Sequence, residues 1–158
     1  MDALPPIVIA RPADAQLLAA PIPKGWIIAG APEARAAELA RSSDGAAVTV
    51  VWETSAGMFR WRFDVDETVH VLEGEVYVTD EKSVERHLGP GDVAYFPAGA
   101  WSVWRVPDRL RKIAFVRHDM PFLISYFVRA WNWVEARIGF SRPPTVATEP
   151  NGQTFAIR

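Results

Sequence analysis

The chain has 158 residues, 49% of them apolar and seven of them Trp, with no cysteine. That length and apolar content fit one globular domain with a substantial core and exclude a disordered chain. The missing cysteines exclude disulfides and thiolate metal sites, and the net charge of −2 with a pI near 5.9 argues against a nucleic-acid-binding domain.

The charge is unevenly spread. Residues 1–104 carry 8 basic and 15 acidic residues, whereas residues 105–142 carry 8 basic and 3 acidic. The basic stretch is read as packing on, or solvated beside, an acidic body, in preference to a surface for an anionic partner.

Residues 1–31 read as an irregular arm, because Pro21, Pro23 and Pro32 oppose a helix there. The opening Met1-Asp2-Ala3-Leu4-Pro5-Pro6 does not resemble a secretory leader, and no apolar run is long enough to span a bilayer, so a cytoplasmic location is expected. Pro32 at a first helical position, followed by Glu33, Ala34, Ala36, Ala37, Glu38, Leu39 and Ala40, predicts a short helix over 32–41. Ser42-Ser43-Asp44-Gly45 would end it.

From there the pattern changes to short strands between turn residues. Strands are predicted over 47–53, 58–64, 67–73, 75–80, 84–88, 92–97, 101–106 and 110–117. Regular spacing of this kind indicates an antiparallel sandwich or barrel over 32–118. Residues 119–158 form a C-terminal arm. An amphipathic helix is predicted over Met120–Ile138, with Asp119 as N-cap, Gly139 as stop and Leu123, Phe127, Trp131, Val134 and Ile138 on one face. Coil is expected over 141–158. The apolar face needs a cover, from the barrel itself or a second copy; Trp131, Trp133, Arg129 and Arg137 also allow a membrane-surface reading.

The phrases Trp52-Glu53, Gly57-Met58-Phe59-Arg60-Trp61, Asp66-Glu67 and Leu72-Glu73-Gly74-Glu75 are followed by Gly89-Pro90-Gly91-Asp92, Pro97-Ala98-Gly99 and Trp104. Together they resemble the cupins. They are most similar to the small single-domain subgroup named for the (S)-ureidoglycine aminohydrolase cupin domain, which includes cupins linked to ethanolamine utilisation. The resemblance covers about residues 25–118 and implies an all-β, jelly-roll barrel. It also implies a tendency to form homodimers, for which open sheet edges give a physical reason.

Metal-binding cupins carry two His and a Glu on the first motif and a third His on the second, a donor set that leaves open positions on a transition metal. Here Glu67 stands at the carboxylate position. The paired His positions fall on Arg60 and Arg62 or on Trp61 and Phe63, and Ser102 stands at the third. His70 lies an odd number of residues after Glu67 and so faces away from it along a strand; His87 and His118 sit near turns. No bound metal or other cofactor is therefore expected.

Along 59–63, Phe59, Trp61 and Phe63 alternate with Arg60 and Arg62. Burying the aromatic set is favourable and burying unpaired Arg is costly, so the aromatic residues should point inward. The expected lumen is Trp61, Phe63, Glu67, Ser102 and Trp104. That set suits a small, partly apolar ligand, including a cation or amine, and equally suits a packed core. Three functions follow as expectations. The first is a metal-free cupin of unassigned activity that binds a small molecule. The second is a hydrolase or lyase/isomerase resembling the ureidoglycine aminohydrolases, with Glu67 as acid–base group. The third is an interaction protein acting through its C-terminal helix.

Overall fold

The computed structural model describes residues 6–118, 145–148 and 154–157. The chain divides into two units, Met1–Asp119 and Met120–Arg158. Among its described residues the first holds nine strands: β1 Leu18–Ala19, β2 Ile27–Gly30, β3 Ala34–Arg41, β4 Ala47–Arg62, β5 Asp66–Gly74, β6 Val76–Asp80, β7 Glu85–Leu88, β8 Val93–Phe96 and β9 Trp101–Arg117. In the second, β10 Thr145–Thr148 and β11 Thr154–Ile157 pair antiparallel.

Two long strands form the spine of the first unit. β4 and β9 pair antiparallel from Ala47↔Arg117 to Arg62↔Trp101. The register shifts once, between Ser55↔Arg109 and Gly57↔Val106, so Ala56 faces Pro107 and Asp108. Pro107 has no N–H to give a ladder, and a bulge is where a strand tolerates it. Gly57 is required at this corner: a Cβ there would lie 2.8 Å from the Pro32 ring.

The bulge divides the sheet into two wings. On one side the first half of β4 joins β3 and then β1, and the second half of β9 joins β5 and then β8. On the other side the second half of β4 joins β2, and the first half of β9 joins β6 and then β7. All of these pairs are antiparallel. Side chains from both wings meet between them: Trp52 lies 6.2 Å from Phe59 and 6.5 Å from Trp104, ring centre to ring centre. Phe59, Phe63, Val69, Val71, Val76, Trp104 and Leu110 are buried there. Each large apolar side chain so enclosed is worth about 1.5–3 kcal/mol.

The strict alternation in β5 shows why this region was readable. Glu67, Val69 and Val71 are buried, while Asp66, Thr68 and His70 are less so. Several expectations are corrected. Residues 34–41 form strand β3, not a helix, held between β1 and β4. The paired segments 47–53 with 58–64 and 101–106 with 110–117 are each one continuous strand, because the chain bends through the bulge without leaving the ladder. The arm expected to be irregular contains β1 and β2 with turns at Pro12–Asp14 and Lys24–Trp26, and β10 and β11 replace expected coil. The helix expected over Met120–Ile138 lies outside the described residues. Among the described residues, no helix is long and apolar enough to cross a membrane.

Candidate functional site: an aromatic cavity with a buried ion pair

Inward-facing positions of three strands converge between the wings. β4 contributes Trp52 before the bulge and Trp61 after it, β5 contributes Glu67, and β9 contributes Trp104 and Lys112 from its two halves. With Val50, Phe59, Ala114, Val116 and the Ala20-Pro21 segment they enclose a cavity of about 380 Å³. The indoles brace one another: Trp61 meets Trp52 and Trp26 edge to face at 6.0 and 5.5 Å.

The polar feature of this chamber is an ion pair. Lys112 Nζ donates to Glu67 Oε1 at 2.6 Å. Lys112 is 4% exposed and Glu67 9%. The ammonium also sits 4.9 Å from the Trp104 ring centre and 5.2 Å from that of Trp52, close enough for cation–π attraction from both faces. Removing either charge would strand the other in a low-dielectric site.

Of the five lumen residues expected from sequence, the structure brings Trp61, Glu67 and Trp104 to this cavity. Phe63 is buried but stacks on Phe96, ring centres 4.3 Å apart and planes 10° from parallel. Ser102 is buried, and its Oγ accepts the Trp104 indole N–H at 2.8 Å. Ser102 and Phe96 line a second cavity, of about 640 Å³, flanked by Arg86 and Leu88 of β7 and by β8. Phe96 lies 5.6 Å from Trp104, so a wall of rings parts the two spaces. Glu67 is therefore paired with an ammonium, a partner not expected from sequence, and the Ser102 hydroxyl is already engaged.

Lys112 was missed. The available signal was its parity: Leu110, Lys112 and Ala114 alternate inward along β9 and all three are buried. Ile113 and Phe115 hid it, because they offer an apolar set in the opposite phase although Phe115 is 47% exposed.

The donor set does not fit the metal that the resemblance associates with cupins. Of the two alternatives for the paired His positions, Arg60 and Arg62 are exposed, and Trp61 and Phe63 have rings that offer no ligand. Glu67 is neutralised by an ammonium lying where a cation would be needed, and Ser102 is hydrogen-bonded elsewhere. His87 Nε2 sits 2.8 Å from Glu75, and His70 alternates with the buried Glu67, Val69 and Val71 of β5. Among the described residues no three His, Asp or Glu side chains are grouped as a metal site.

Residues 41–114 match the family described as the EutQ-like cupin domain. No curated protein matches the chain. Solved structures do. A protein of unknown function of the DUF861 family from Pseudomonas syringae pv. tomato is 21% identical with a TM-score of 0.60, over 65% of this chain and 45% of that one. The polyketide cyclase RemF from Streptomyces resistomycificus is 18% identical with a TM-score of 0.53, over 73% and 82%. The EutQ protein of Clostridium difficile is 18% identical with a TM-score of 0.49, over 55% and 69%. The chain thus spans less than half the length of the Pseudomonas protein, and at these identities the likeness is one of fold. The family match over residues 41–114 and the antiparallel two-wing sheet together support a cupin fold for the first unit.

Proposed function

We propose that this protein is a cupin that binds a small, largely apolar molecule in the cavity between its wings, without a metal. One observation carries the reading: a chamber of about 380 Å³ walled by Trp52, Trp61 and Trp104 encloses a single polar feature, the Glu67–Lys112 pair. Apolar walls with a few convergent polar groups are the usual composition of a small-molecule site. The two wings support closure as a jelly-roll barrel. A homodimer and a cytoplasmic location belong to the same reading.

Calorimetric titration with a panel of small neutral and charged ring compounds tests it. At least one compound should bind, and Ala20→Phe, which places a ring at the cavity wall, should weaken that binding. A panel that shows no binding, or binding indifferent to Ala20→Phe, contradicts the assignment.

A second reading has an observation in its favour. Lys112 holds a transferable proton 2.6 Å from Glu67, as an acid–base pair would. In an enzyme resembling the ureidoglycine aminohydrolases, Glu67→Gln would abolish turnover at a temperature where circular dichroism shows the destabilised variant still folded.

A further inference from the structure

The charge arithmetic of the cavity points to a class of ligand. We infer that the site selects an electroneutral molecule whose polar edge carries one donor beside one acceptor, as in a primary carboxamide, over its anionic or cationic counterpart. This rests on the small-molecule reading above and deepens it.

The Glu67–Lys112 pair is neutral as a unit and both members are buried. It is also incompletely used. Lys112 Nζ has three N–H donors, and among the described residues it makes one hydrogen bond, to Glu67 Oε1. Glu67 Oε2 accepts none among the described residues, yet it is not one of the atoms sealed from solvent without a partner. The chamber therefore offers an ammonium N–H and a carboxylate oxygen side by side. A carboxamide answers both at once: its carbonyl accepts from Lys112 while its N–H donates to Glu67 Oε2. Neither ion of the pair has to be released.

Charged ligands do worse. A carboxylate that captures Lys112 leaves Glu67 facing a like charge, and an ammonium that captures Glu67 does the same to Lys112. In each case the chamber acquires a net charge among Trp52, Trp61 and Trp104, with no second counter-ion lining it among the described residues. Discrimination of this kind comes from repulsion built against the wrong ligand as much as from attraction to the right one.

Benzamide, benzoate and benzylammonium share one ring and differ in the charge of the polar end. Calorimetric titration of the chain at neutral pH should show benzamide binding at least about tenfold more tightly than either ion, the scale expected when a buried polar group is left wrongly paired. Glu67→Gln should shift the preference to benzoate, and Lys112→Met should shift it to benzylammonium. The double variant Glu67→Gln/Lys112→Met restores neutrality and serves where a single variant does not fold; it should bind benzoate and benzylammonium equally poorly. If wild type binds either ion as tightly as benzamide, the inference fails while the small-molecule reading stands. If none of the three binds although another panel compound does, the inference also fails alone. If nothing in the panel binds, both fail.

Discussion

Lys112 and Glu67 decide what the interior can be. A buried ion pair is weak evidence for stability, because desolvation offsets its attraction, but breaking it is expensive. Lys112→Met and Glu67→Gln should each destabilise the protein by roughly 3–5 kcal/mol. The double variant should lose less than the sum, with a coupling of about 1 kcal/mol or more in urea unfolding. Additive losses would mean that the two side chains do not act as a pair. At this scale the sequence was legible for Glu67 through the cupin-like motif, whose carboxylate position it holds, and the burial alternation of β5 agrees. It was illegible for Lys112, because parity on β9 admits two apolar faces and only the bulge at Pro107-Asp108 settles which one is buried.

Strands explain the next level. β3 illustrates how a helix can be imitated. Its exposed residues are Arg35, Glu38 and Arg41, three apart, and the register shift between Glu38 and Ala40 produces the second of these steps. One inserted residue breaks the period of two and mimics helical spacing, and strong helix formers then reinforce the wrong reading. Tertiary pairing with β4 overrides that preference. The β5–β8 region was easier, since its turns and alternation agree. Gly74 there takes φ +74°, and a Cβ would come 1.7 Å from the Arg109 carbonyl oxygen. Gly74→Ala should therefore displace β9 from β5, and the expected loss of thermal stability is large; an unchanged Tm would refute that contact.

Asp66, at the start of β5, ties in the segment that follows β8. It accepts the Ala98 backbone N–H at 2.9 Å and the Tyr95 hydroxyl at 3.0 Å. The Ala98 N–H foremost, aided by the Tyr95 hydroxyl and then the Arg117 charge, holds its carboxyl below the ordinary Asp range, against desolvation that opposes the shift more strongly than either of those two helpers favours it. A depressed carboxyl stabilises the fold above the unfolded value of about 3.9 and loses that contribution as pH falls through the folded value. Wild type should thus be more stable than Asp66→Asn at neutral pH, and the gap should close below about pH 4. A gap independent of pH would remove the charge from the explanation.

For the whole first unit, the outer face of one wing carries a row of apolar side chains. Thr68 pairs with Tyr95 on one side and Phe115 on the other, so both lie on the same face, and Val93 follows two residues from Tyr95. Tyr95 is 60% exposed, Val93 62% and Phe115 47%. Such a face supports the proposed homodimer. Sedimentation should show a dimer that Val93→Asp/Phe115→Asp converts to monomer; a wild-type monomer would end that part of the proposal. The fold class could be read from strand spacing and turn residues because these are local. The contents of the chamber were legible only in part: Trp61, Glu67 and Trp104 were read from sequence, whereas Trp52 and Lys112 lie across the bulge from Trp61 and Trp104 and were not.

The central claim is that an ammonium, not a metal ion, balances Glu67 inside this cavity. Elemental analysis of the full chain, produced with Mn, Fe, Zn and Ni supplied, tests it most directly. The account predicts only substoichiometric metal. One equivalent, held through purification and released by a chelator, would contradict it.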